Sequence, residues 1–377
     1  MAVAIAAVTG VVVVIINAIS NDDSSPPASG DLAIVIGAHS NAPMPKLVGR
    51  MLSTAEVAVR NRQSIKLILN SGSPQVLDPY RGDCINSFAC QQDTARLESL
   101  VERESSSSPG NNLLDAIDVA SRALSDETGT KTLGIIDSGL QTAWPLQFQD
   151  SSTLIDADAG DIVQYVESKG PLPNLKGIHV ILSGIGDTAA PQGPLNIGQR
   201  DALVGIWTAI CNAAGAASVY SERFPLTTAP HVGQAPVPTV SISSPAIPAS
   251  VGPASRFVVP DKVLGFIPDT ANFIDRGATL DLLKPIAVAM STLHGNLLLT
   301  GTTAKSGTVA GQLSISLARA NAVERVLVEL GVPAARITTR GVGTNNPGYV
   351  PDVDQDGRLL PGPAAANRTV IVQLPAR

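Results

Sequence analysis

Apolar residues recur along this chain in three rhythms: one unbroken run, short strand-like runs, and helical stripes. The unbroken run is residues 1–20, MAVAIAAVTGVVVVIINAIS, which carry no charge. A helix of that length can cross a ~30 Å hydrocarbon core. The segment therefore predicts a retained, single-pass transmembrane anchor, and the polar residues 21–30, NDDSSPPASG, predict a tether leaving the membrane. A cleaved signal peptide is the first alternative, because Ala18-Ile19-Ser20 loosely fits a small-residue cleavage pattern. A buried soluble helix is the second, and apolarity on all faces argues against it. No basic flank marks a cytoplasmic side.

From residue 31 to 225 the pattern alternates strand and helix, which predicts an α/β unit around a mainly parallel sheet. Leu32–Gly37, Ile65–Leu69, Leu133–Ile136, Ile178–Leu182 and Ser218–Tyr220 read as strands. Helical periodicity covers Lys46–Arg62, Leu113–Leu124 and Gln199–Ala214, with Asn111 a plausible cap for the second. Residues 226–261 follow as a spacer: positions 226–260 hold seven prolines and a single charged residue, Arg256. Within it, the alternation at Thr239–Ser243 fits an edge strand.

Residues 262–377 predict a second, smaller α/β domain with a mixed sheet. Its expected strands are Val263–Ile267, Asn296–Thr300, Ile337–Arg340 and Thr369–Leu374. Its first helix is expected at Leu280–Met290, where Pro285 predicts a kink. Ile315, Ala318, Ala322, Val326 and Leu330 form the stripe of its second helix, which Gly331 closes.

Composition narrows the function classes. A chain of 377 residues accommodates two domains, and its aliphatic content can build large cores. A net charge of −6 argues against a nucleic-acid partner. With three cysteines there is no disulfide scaffold; Cys84 and Cys90 either pair or stay free, and Cys211 reads as a packed small hydrophobe. No Cys/His spacing suggests zinc, and no cofactor is expected. Asp352, Asp354 and Asp356 mimic the start of a calcium loop, but its twelfth position is Pro363, so a solvated acidic loop is the better reading. Gly184-Ile185-Gly186-Asp187 touches a dinucleotide fingerprint yet is followed by Pro191 and Pro194. His39-Ser40 lacks a nucleophile-elbow frame, and no acid/base constellation stands out, so no enzyme is predicted.

The C-terminal landmarks occur in a telling order. Gly301-Thr302-Thr303-Ala304 ends an apolar strand, and Arg319 follows 15 residues later in Leu317-Ala318-Arg319-Ala320. Then come Arg340-Gly341-Val342-Gly343, Pro347 and Asn367-Arg368-Thr369-Val370. Residues 262–375 resemble the OmpA-like C-terminal domain, a peptidoglycan-binding module with the motifs G-H-T-D, L-S-x-x-R-A, G-x-G-x-x-x-P and N-R-R-V. The resemblance implies peptidoglycan contacts from Arg319, Gly301, Thr303, Asn367 and Arg368. It also implies a departure, because Ala304 stands where the family has an aspartate. The ligand's ammonium then lacks a partner, Arg319 lacks a counter-charge, and binding is expected to be weak. The alternative role for Arg319 is a bond to the loop near Asn367.

The first unit resembles, less specifically, a von Willebrand factor A-like domain. Gly37-Ala38-His39-Ser40-Asn41 stands where that family has D-x-S-x-S, while Asn111 and Asp137 fall near its other metal-holding turns. One remaining carboxylate implies a degenerate, metal-free site.

Together these features predict a membrane-anchored, extracytoplasmic cell-envelope protein that docks on peptidoglycan as a tether or adaptor. The first unit would take a protein partner. One rival is a MotB-like stator, which needs an acidic residue in its membrane helix; residues 1–20 have none. The other is a protein–protein adaptor whose wall binding is lost.

Overall fold

The computed structural model describes residues 30–376 other than 107, 127–128, 227–228, 230–234, 243–246 and 249. The expected anchor, residues 1–20, lies outside the described residues, as does nearly all of the tether. Among the described residues no helix is long and apolar enough to cross a membrane.

The first unit follows the alternation of its sequence. Its elements are β1 (Asp31–Gly37), α1 (Gly49–Arg60), β2 (Ser64–Asn70), β3 (Gln75–Val76), β4 (Tyr80–Arg81), α2 (Ser87–Arg103) and α3 (Leu113–Ala123). They continue through β5 (Lys131–Ile136), α4 (Ala159–Lys169), β6 (Ile178–Ser183), α5 (Ile197–Ala213) and β7 (Ser218–Ser221). The sheet runs β3-β2-β1-β5-β6-β7, with β4 beside β2. All pairings from β2 to β7 are parallel; the short β3 and β4 are antiparallel additions to β2. Continuous apolar runs such as Leu32–Ile36 form strands here because helices cover both faces, so residues pointing either way are buried. One core holds Val35, Leu133, Phe148 and Trp207; the other holds Ile34, Met51, Leu67 and Leu97.

The second unit comprises β8 (Arg256–Pro260), α6 (Asp261–Leu264), α7 (Arg276–Thr292), β9 (Leu297–Gly301), α8 (Val309–Glu329), β10 (Ile337–Gly341), α9 (Pro361–Asn367) and β11 (Thr369–Gln373). Its sheet order is β10-β9-β11-β8, parallel only between β10 and β9. Leu283, Ile286, Leu297, Leu299, Val323, Val326 and Val370 fill the space between the sheet and α7 and α8.

Several local expectations need correction. The first strand of this sheet is Arg256–Pro260, inside the expected spacer, and Val263 and Leu264 are helical. Phe257 and Val259 pair with Val372 and Val370, so β11 recruits the earlier apolar run. Residues 239–242 form no strand; Gln192 holds Val240 through both its backbone N–H and its carbonyl. The buried stripe of α8 is Gln312, Ser316, Arg319, Ala320, Val323 and Leu327, together with Ala322 and Val326, rotated from the expected line through Ile315 and Ala318. Cys84 and Cys90 are disulfide-bonded. Cys211 packs in the core as expected, and burial pushes its thiol up to about 12.

The two units meet along α9. Ala365 joins the first unit's core beside Leu154, and Thr153 Oγ1 donates to Gly362 O at 2.7 Å. Gly362 has no room for a side chain, since a Cβ there would lie 2.5 Å from Ser151 Oγ. Lys169 pairs with Asp354 at 3.1 Å, and Arg368 pairs with Asp161 at 2.5 Å.

Candidate functional site

Arg319 lies on the face of α8 that turns toward α6 and the 266–274 loop. Its side chain is 4% exposed. The guanidinium meets Asp261 Oδ2, donates from Nε to Thr270 O at 2.9 Å, and lies 5.4 Å from the Phe266 ring centroid. Phe273 stacks on that ring at 4.6 Å, which fixes the loop. The expectation that Arg319 lacks a counter-charge is therefore corrected: Asp261, at the start of α6, supplies it. The correction depends on β8 ending at Pro260, which sets Asp261 beneath α8.

A cavity of about 80 Å³ opens beside this pair, at the junction of the two units. Arg319, Asp261, Lys262 and Arg368 line it from the second unit, and Asp156, Asp158 and Asp161 from the first. Burial raises Asp156 to about 6, with Lys262 opposing. Burial also raises Asp261 to about 6 against the pull of Arg319 and Arg368. The cavity thus holds carboxylates that ionise at a cost.

The residues that the sequence motifs single out separate into two sets. Arg319 and Arg368 share the cavity. Gly301, Thr303 and Asn367 are buried within the second unit, outside that lining. Gly301 permits close contact of β9 with α8, because a Cβ there would stand 1.8 Å from Ser316 O. The backbone N–H of Thr303 donates to Gly343 O at 3.1 Å. Asn367 Nδ2 donates to Val350 O at 2.7 Å and to Asp352 Oδ2 at 2.9 Å.

Ala304 is 1% exposed, and the next residue engages a buried carboxylate, that of Asp352. Lys305 N–H donates to Asp352 Oδ2 at 2.9 Å, and the Tyr349 hydroxyl donates to Asp352 Oδ1 at 2.5 Å. Burial and that carboxylate push Tyr349 up to about 12. Asp352 is fully buried and accepts three hydrogen bonds, so it closes the loop. Asp354 likewise accepts from the N–H groups of Asp356 and Arg358. The calcium-loop look-alike is thus a self-bonded turn.

A second polar cluster lies at the C-terminal ends of β1, β2 and β5. The chain leaves β1 toward β2 on one side and later returns to β5 on the other, a switch point where open α/β sheets form a crevice. Here side chains fill it. Asp137 meets His39 Nε2 at 2.9 Å and accepts from Asn70 Nδ2 at 2.8 Å, Asn111 Nδ2 at 2.9 Å and Gly139 N–H at 2.7 Å. Burial acts to raise its pKa, but His39 and the amide donors outweigh that and hold the carboxyl below its usual range. Asn111 does not cap α3, whose N-cap is Asn112. Ser40 Oγ accepts from Val237 N–H at 3.1 Å. Asp187, after the glycine turn, pairs with Arg200 and accepts from Leu226 N–H at 2.7 Å.

Sequence reasoning missed Asp261 as the partner of Arg319, and Asp156, Asp158 and Asp161 as residues of the same cavity. Three of them come from the other unit, more than 150 positions away, and no local motif joins such distant residues.

The OmpA family model matches residues 268–356. No curated protein matches the chain. Among solved structures, the chain is similar to the cell wall anchor of the T6SS from Pseudomonas aeruginosa, with 25% identity, a TM-score of 0.26, and coverage of 32% of this chain and 81% of that one. It is similar to the peptidoglycan-associated lipoprotein from Burkholderia pseudomallei, with 26% identity, a TM-score of 0.25, and coverage of 32% and 90%. The periplasmic domain of Helicobacter pylori MotB shows 18% identity, a TM-score of 0.26, and coverage of 31% and 73%. The region built around β9 and the Arg319 helix is an OmpA-like domain.

Proposed function

We propose that this chain is a cell-envelope protein that docks on peptidoglycan through its OmpA-like domain and serves as a tether or adaptor. The observation that carries the reading is the position of Arg319. This arginine of the Leu-Ala-Arg-Ala motif lies in the matched family region and lines a cavity together with Arg368. Two planar guanidinium forks suit the carboxylates of a stem peptide. Thr303, Gly301 and Asn367 act in this reading by holding β9, the loop after it and the 350 region in place for those forks. The work is binding, with no catalytic step.

Residues 1–20 anchor the chain in the membrane as a single span, with the globular part outside the cytoplasm; their uninterrupted apolarity supports this. The first unit is a degenerate von Willebrand factor A-like domain that takes a protein partner. Its support is the parallel sheet and the filled crevice around Asp137.

The test is co-sedimentation of the full chain with purified sacculi of diaminopimelate type. Retention that free meso-diaminopimelate competes away is the expected result. A chain that stays in the supernatant at all concentrations would sink the wall reading.

A further inference from the structure

Ile85 and Phe88 stand on the loop closed by the Cys84–Cys90 disulfide, 77% and 66% exposed. The backbone beneath them is fixed. Arg62 donates from Nε and Nη2 to Cys84 O at 3.2 Å, Asp83 N–H donates to Asp93 Oδ2 at 2.8 Å, and Asn86 Oδ1 caps α2 by accepting from Ala89 N–H at 2.9 Å. Two large apolar side chains held in water on a fixed loop mark a contact surface. Their place in the fold names the partner. β4 runs antiparallel to β2 with Arg81 opposite Ser64, so the chain leaves β4 toward the end of the sheet where β2 and its parallel neighbour β1 begin. Residue 30 stands at that same end, since Leu32 pairs with Ile65. Only residues 21–29 separate it from the apolar run 1–20, and fully extended they reach about 30 Å.

We propose, resting on the reading of residues 1–20 as a membrane anchor, that Ile85 and Phe88 insert into the surface of the bilayer that holds the anchor. The tether keeps this end of the first unit close to the lipid, and burying two large apolar side chains there supplies a second contact. The surrounding charge fits a bilayer with anionic lipids. Segments 60–62 and 80–90 carry three exposed arginines, Arg60, Arg62 and Arg81, against one carboxylate, Asp83, and arginines near the surface attract anionic headgroups. The contact leaves the OmpA-like domain free for the wall. Its helix α9 meets Thr153 and α4, in the crossover from β5 to β6, rather than the β2 edge. The first unit thereby stands on the membrane in one orientation instead of swinging on its tether.

The experiment reconstitutes the full chain in vesicles of phosphatidylcholine and phosphatidylglycerol with brominated acyl chains, which quench a tryptophan only at lipid depth. Phe88→Trp is compared with Ile197→Trp and with the native chain. Ile197 is 81% exposed but begins α5, after β6 has ended, at the opposite end of the sheet. Of the native tryptophans, Trp207 is fully buried and Trp144 follows the end of β5. Brominated lipid should remove most of the emission added by Phe88→Trp and leave that of Ile197→Trp and of the native chain unchanged. No added quenching in Phe88→Trp, the result expected if this loop takes a protein instead, overturns the inference. Equal quenching of Ile197→Trp overturns it as well. Carbonate extraction, measured in parallel, reads the anchor alone. A chain that resists extraction without quenching at position 88 sinks the loop contact alone, whereas quenching in a chain that carbonate extracts sinks the anchor reading alone.

Discussion

Arg319 commits Nη1 to Asp261 and Nε to the Thr270 carbonyl within its own domain. Its charge is therefore tied to stability as well as to any ligand. Arg319→Ala should lower stability by about 3–5 kcal/mol, because it leaves Asp261 buried and unmatched; Arg319→Lys should cost much less, since the pair survives. Urea denaturation of both variants checks this. Asp156 gives a second prediction, in pH. Its folded value of about 6 lies above the ordinary 3.8, so the folded state binds this proton more tightly. The contribution is fully present below about pH 4 and is lost as pH rises through about 6. Asp156→Asn removes that loss. Relative to the native chain it should gain on the order of 1 kcal/mol between pH 4 and 7, allowing for solvent screening of a partly exposed group. Thermal melts across that range would show it; a constant difference would contradict it. Asp137 behaves oppositely. Four donors surround its carboxylate, so Asp137→Ala should cost about 3 kcal/mol or more by stranding buried donors.

At the scale of elements, α8 is fixed by small residues where it crosses the sheet. A Cβ at Gly301 would meet Ser316 O at 1.8 Å, and one at Gly341 would meet Leu317 N at 2.3 Å. Backbone cannot yield as a side-chain tip can. Gly301→Ala should therefore destabilise by about 3 kcal/mol, the upper part of the overpacking range. A melt unchanged from the native chain would refute this packing account. These glycines were legible in the sequence as landmarks, but their reason was not; helix-to-strand contact follows from tertiary packing. The parallel strands were legible, because continuous runs such as Leu32–Ile36 fit only a sheet covered on both faces. The strand at Arg256–Pro260 was misplaced because Val258-Val259 and Val263-Leu264 are equally apolar, and only pairing with β11 decides between them. Asn111 looked like a cap because caps favour asparagine; the buried Asp137 carboxylate competed for it and won.

At the scale of the molecule, α9 and Arg368 join the two units through Gly362, Ala365 and the Asp161 pair. The arginine and the aspartate are 14% and 17% exposed, so their interaction is little screened. A double-mutant cycle on Arg368→Ala and Asp161→Ala should give a coupling above about 1 kcal/mol. Arg368→Ala should also separate the native calorimetric transition into two. The cavity arises from this junction, which is why its first-unit lining, Asp156, Asp158 and Asp161, is invisible to motifs confined to the last hundred or so residues.

The central claim is that the fork of Arg319 meets the wall. It is tested most directly by retention of the full chain on diaminopimelate-type sacculi, native against Arg319→Lys. The lysine keeps the charge beside Asp261 and loses the planar fork. The account predicts that the native chain is retained and that Arg319→Lys, folded by circular dichroism, binds about tenfold more weakly. Equal retention of the two forms would contradict it.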